Sequence, residues 1–95
     1  IIKSYRAVLK TAGISVESLI LFGSRAKGQE REWSDIDLCV VSKQFGYDSF
    51  SEMVELKKLA DKVEPMIEPH PFNPADLANR FDPLAAEILA HGRII

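Results

Sequence analysis

The chain has 95 residues, 46% of them apolar and 27% charged, with a net charge of −2. This composition describes one globular domain with a modest core and no room for a second, substrate-binding domain, and it argues against a broad nucleic-acid surface while allowing local basic patches. One cysteine cannot form an internal disulfide, no apolar run nears the ~20 residues of a membrane span, and nothing reads as a secretory leader. The expected setting is therefore a reducing cytoplasm, and a sequence that starts at Ile1 is expected to lack a few terminal residues.

In chain order, Ile2, Tyr5, Leu9 and Ala12 fall on one helical stripe, which predicts an amphipathic helix over 1–12 that stops near Gly13. Its Lys3, Arg6 and Lys10 read most simply as a solvated face rather than an RNA contact. Residues 18–22 are apolar almost throughout and predict a central strand covered on both faces. The run stops at Gly23-Ser24. Glycine lets the backbone approach a ligand, serine is a favoured helix N-cap, and the N–H groups of a helix start attract phosphate oxygens. Arg25 and Lys27 add positive charge and Gly28 can end the turn, so the stretch is either a phosphate seat or an ordinary turn with two solvated cations. In the polar link that follows, Trp33 could stack on a base or dock a partner, but it reads first as a lid on the core.

Residues 36–42 are short and rich in Ile, Leu and Val, which predicts a second strand. Asp35 and Asp37 open it, and residues two apart on a strand project from one face. Side-by-side carboxylates repel unless a cation lies between them, and a hard ion such as Mg²⁺ takes oxygen ligands together with substrate phosphates. The plainer alternative is a Ser34-Asp35 turn followed by an exposed Asp37. Cys39, in an apolar context, reads as a buried structural thiol.

Turn chemistry around Gly46 leads into a helix from Ser49, with Phe50, Met53, Leu56, Ala60 and Val63 as its core stripe and Ser49 or Ser51 as its cap. Pro65 and Pro69 bracket Met66-Ile67-Glu68 and predict only a short strand near a sheet edge. His70 has no cysteine or second histidine at ligand spacing, which favours a structural role or one behind other ligands. Asn73-Pro74 and Asp82-Pro83 each read as an N-cap followed by proline at the first helical position. Leu77, Phe81, Leu84, Ile88 and Leu89 supply apolar faces, and Gly92 ends the last helix.

The run Gly23-Ser24-Arg25-Ala26-Lys27-Gly28 followed by Ser34-Asp35-Ile36-Asp37-Leu38 resembles the signature of the DNA polymerase β-like nucleotidyltransferase superfamily, most of all its small minimal nucleotidyltransferases. The resemblance implies an α/β (α+β) fold, a small mixed sheet flanked by helices, filled by one minimal domain over 1–95. It implies that Asp35 and Asp37 hold Mg²⁺ and that Gly23 and Ser24, with Arg25, hold the β- and γ-phosphates of ATP or another nucleoside triphosphate. The third carboxylate of a two-ion site falls at Glu68, with glutamate where the family usually has aspartate, and Glu64 is the competing candidate. Relatives of this kind are often antitoxins paired with a helical HEPN protein, some transferring AMP to it. The resemblance therefore implies a nucleotidyltransferase acting on a partner protein. The alternatives are a non-catalytic module that neutralises its partner by contact, or transfer to RNA or a small molecule.

Overall fold

The computed structural model describes residues 1–23 and 35–95. The elements follow as α1 (Ile2–Thr11), β1 (Ser18–Phe22), β2 (Ile36–Val41), α2 (Ser49–Asp61), β3 (Ile67–Phe72), α3 (Pro74–Leu77), α4 (Pro83–His91) and β4 (Arg93–Ile94). The expected helix after Ser24 lies outside the described residues.

The four strands form one mixed sheet in the order β3-β2-β1-β4. β1 runs antiparallel to both β2 and β4, and β2 runs parallel to β3. The apolar β1 is central, as its composition requires, and its alternate residues enter two separate cores. Leu19 faces a core shared with Leu38, Val40 and Ile67 and covered by Tyr5 and Leu9 of α1 and Leu56, Leu59 and Ala60 of α2. Ile20 and Phe22 face the other, with Cys39, Val41 and Phe72, beneath Ala85 and Ile88 of α4.

The first helix forms over nearly the expected span, with Tyr5 and Leu9 fully buried, while Ala12 is exposed at its end. The buried Tyr5 hydroxyl donates to the Leu56 carbonyl at 2.9 Å, tying α1 to α2. Leu56 keeps its own helical ladder, so Tyr5→Phe is expected to remove one net hydrogen bond, about 1 kcal/mol, and lower the melting temperature by roughly 4–8 °C in thermal unfolding.

Two apolar stripes differ from expectation. In α2 the buried residues are Leu56, Leu59 and Ala60, whereas Phe50 is 72% exposed and Met53 is also exposed. Phe50 and Met53 instead line a shallow surface groove beside His70, Pro71 and Phe72 of β3. Its cap is Asp48, which accepts from the Ser51 N–H and the Ser51 hydroxyl. In the C-terminal segment Phe81 is 88% exposed and Leu84 and Leu89 are exposed, while Ala85 and Ile88 carry the packing. Asn73 and Asp82 cap as expected, accepting from Ala75 N–H at 2.9 Å and Leu84 N–H at 3.0 Å.

The third strand is longer than its prolines suggested, running through Pro69 and Pro71 to Phe72. Parity explains this. Met66 and Phe72 present their carbonyls to β2, bonded by the N–H groups of Ile36 and Ser42. The even-numbered residues of β3 therefore face its neighbour, and Pro69 and Pro71 have their missing N–H groups on the outer edge, where no ladder needs them. On that same edge Lys57 Nζ donates to the carbonyls of Pro65 and Ile67 at 2.7 and 2.9 Å. Among the described residues no helix is long and apolar enough to cross a membrane.

Candidate active site

Phe22, the last residue of β1, lies opposite Asp37 of β2, and Asp37 lies opposite Glu68 of β3. Partners in register share a face, so the row Phe22–Asp37–Glu68 crosses one end of the sheet, and the row Ile20–Cys39–His70 runs behind it. Asp35, exposed just before β2, has the parity of Asp37 and hydrogen-bonds through its side chain to Glu68.

A bond between two carboxyl groups needs a proton, and Glu68 binds one more readily than an ordinary glutamate. Its pKa is raised above the ordinary glutamate value, first by the hydrogen bond to Asp35, then by partial burial, then by the negative charges of Asp35 and Asp37; only His70 acts in the other direction. Folding therefore adds proton affinity at Glu68. Above the ordinary value of 4.5 the folded chain binds more protons than the unfolded one, so this group's contribution to stability falls as pH rises through the interval up to its folded pKa. In metal-free urea unfolding, the wild type is expected to lose stability relative to Glu68→Gln as pH is raised from about 4.5 towards 7. A difference between the two that does not change with pH would count against the shared proton.

Gly23 ends β1 with φ +75°. A Cβ built there would collide with Asp37 Oδ2 and stand 3.2 Å from Asp37 Cγ, so a larger residue would both strain the backbone and displace that carboxylate. On the other side of Asp37, His70 Nε2 lies 3.6 Å from Oδ1, and the His70 ring meets Phe22 edge to face at a centroid distance of 5.1 Å. Cys39 is fully buried, and burial pushes its thiol up to about 12, an inert core group.

Over residues 4–95 the chain matches the family model described as Polymerase beta, Nucleotidyltransferase. The chain belongs to that family. A Methanocaldococcus jannaschii protein, provisionally named a protein adenylyltransferase, is 40% identical over 63 residues, 66% of this chain and 62% of the relative. The chain thus spans less than two thirds of that relative's length. Among solved structures, a toxin–antitoxin crystallised with AMP-PNP has a TM-score of 0.69 at 22% identity, with 97% of this chain and 69% of that one covered. A Sulfolobus solfataricus protein provisionally named a nucleotidyltransferase has a TM-score of 0.67 at 17% identity, with coverage of 97% and 72%. At these identities the likeness is one of fold.

Within this family fold, Asp35, Asp37, Glu68 and Gly23 come together at one end of the sheet. Ser24 and Arg25, expected at the phosphates, and Trp33 lie outside the described residues. Glu64 stands before β3, where its Oε1 accepts from the Met66 N–H at 3.1 Å. It is engaged with its own turn, whereas Glu68 lies on the row with Asp37. Among the described residues no three of His, Cys, Asp and Glu are gathered at metal-ligand spacing. The carboxylates nevertheless fit a hard divalent cation by their oxygen chemistry and by the excess negative charge that raises Glu68, and taking one up would require Glu68 to release its proton. His70, expected in a structural role or one behind other ligands, lies beside Asp37, 3.6 Å from its Oδ1. Its parity with Glu68 puts it on the site's face once the strand is carried through Pro69.

Proposed function

We propose that this chain is a Mg²⁺-dependent nucleotidyltransferase that moves a nucleoside monophosphate, AMP from ATP first of all, to a hydroxyl on a partner protein. The observation that carries this reading is the convergence of Asp35, Asp37 and Glu68 on one end of the sheet, beside a glycine with no room for a side chain. The name of the Methanocaldococcus jannaschii relative supports protein as the acceptor, and the AMP-PNP of the toxin–antitoxin neighbour supports a triphosphate as the donor.

In this reaction the acceptor oxygen bonds to the α-phosphorus, the bond from that phosphorus to the bridging oxygen breaks, and pyrophosphate leaves. Asp35, Asp37 and Glu68 would hold Mg²⁺, in one or two positions, which neutralises the phosphates and the leaving oxygen. Gly23 brings the backbone close to the phosphates, with Ser24 and Arg25 as donors to the β- and γ-phosphates. Glu68, on the row beside Asp37, receives the proton of the acceptor hydroxyl where it does not itself ligate the ion. The remaining rate enhancement comes from positioning.

The partner we propose is a helical HEPN-type toxin in the cytoplasm, with this chain as the antitoxin. Incubation with ATP labelled at the α-phosphate, Mg²⁺ and the product of the adjacent gene tests this. Covalent label on the partner is the expected result. Tight association without label would instead favour neutralisation by contact, and label on RNA or a small molecule would replace the acceptor.

A further inference from the structure

Asp37 is held between two neighbours of opposite kind. Its Oδ2 occupies the space where a Cβ on Gly23 would stand, and its Oδ1 lies 3.6 Å from His70 Nε2. That nitrogen is buried and has no hydrogen-bond partner, although the side chain as a whole is 30% exposed. A buried ring nitrogen without a partner calls for a physical account, since desolvation of such a group is costly. The candidate partner is evident from the distance. At 3.6 Å, Asp37 Oδ1 lies just outside hydrogen-bonding range, and a small rotation of either side chain closes the gap.

Electrostatics decides which form of the imidazole suits this position. A lone pair on Nε2 would face a carboxylate oxygen and be repelled, whereas an N–H there would be attracted. The ring itself is steadied by its edge contact with Phe22, which stands directly opposite Asp37 in the β1–β2 register. We infer that His70 is a positioning residue: its Nε2–H donates to Asp37 Oδ1 and fixes the carboxylate in the orientation for which the missing side chain of Gly23 leaves room, so that it can serve as a cation ligand. Asp37 would otherwise be free to swing away from Glu68, because like charges on adjacent strands favour separation. Histidine is well chosen for the task, since a neutral imidazole donates without adding a charge that would compete with the cation.

This inference rests on reading Asp37 as a ligand, and the experiment separates the two. In the wild-type protein without metal, at about pH 8 where an ordinary imidazole is neutral, ¹⁵N NMR of His70 is expected to report the Nε2–H tautomer. The Nδ1–H tautomer would overturn the inference, and this measurement needs no variant. His70→Phe keeps a ring against Phe22, and its outer side faces a shallow groove of about 340 Å³ lined by Phe50, Met53 and Leu84, so the larger ring has space. His70→Gln restores an N–H donor of similar reach.

Binding of Mn²⁺ alone, followed by electron paramagnetic resonance, is expected to weaken about 10-fold or more in His70→Phe and to stay within about 3-fold of wild type in His70→Gln. If folded His70→Phe binds Mn²⁺ as the wild type does while Asp37→Asn does not, the role of the histidine is overturned and the ligand assignment stands. If Asp37→Asn also binds Mn²⁺ normally, the ligand assignment fails and the inference falls with it.

Discussion

Asp37→Asn leaves the fold intact and lowers nucleotide transfer at least about 10³-fold, equivalent to ~4 kcal/mol of transition-state stabilisation. The substitution keeps the shape of the side chain and removes one negative charge. Asp37 is only part-buried, and asparagine keeps an Oδ1 that can still accept from His70 Nε2–H, so the folded state has little to lose. It also gains something, because the charge of Asp37 is one of the causes that raise Glu68, and removing it relieves that repulsion. The metal-free variant should therefore melt at or slightly above the wild-type temperature while transfer is lost. The same substitution at Asp35 is expected to abolish transfer as well. Steady-state transfer of labelled nucleotide, with a melting curve on the same preparation, checks both halves. Activity retained in either variant would count heavily against a cation-dependent site at these carboxylates.

The second large effect is expected at Gly23. Gly23→Ala meets two separate obstacles: a backbone at φ +75°, which costs an alanine about 1–2 kcal/mol, and a Cβ that collides with Asp37. The strain should lower the melting temperature by roughly 4–8 °C per kcal/mol in a domain of this size. Displacing Asp37 from its position should lower transfer about 100-fold, since an error near 1 Å in a reacting group has that consequence. The two obstacles can be told apart by adding Asp37→Ala. The collision then disappears while the backbone strain remains, so Gly23→Ala should destabilise that background less than it destabilises the wild type. Equal destabilisation in both backgrounds would mean that the glycine and the carboxylate are not in contact.

Local pattern carried the central part of the fold. The almost wholly apolar run of 18–22 made β1 internal, and the spacing of Asp35 and Asp37 put both carboxylates on one face because strand parity admits no other arrangement. The caps Asn73 and Asp82 were legible for a similar reason, since each depends on a side chain and an N–H two residues away. What failed depended on contacts distant in sequence. Phe50 and Phe81 have the spacing of core residues, but the packing of the elements leaves both exposed. Arg93 and Ile94 form a strand only because β1 has a free edge beside them, and two residues carry no periodicity of their own. β3 was cut short at Pro69 because a proline reads as a stop unless it is known which edge of the strand it faces. Ending the strand there also left unread which carboxylate His70 stands beside, although a role behind other ligands was expected for it.

The outer margin of β3 restricts what can approach the carboxylates. Two of its backbone positions lack a donor, and the carbonyls of Pro65 and Ile67 are already taken by a lysine. A foreign strand therefore finds no ladder to join there, and the sheet cannot be lengthened on the side that carries Glu68. A macromolecular acceptor must reach this end of the molecule with side chains, from a helix or a loop, and recognition there will depend on shape and charge rather than on shared main-chain bonding.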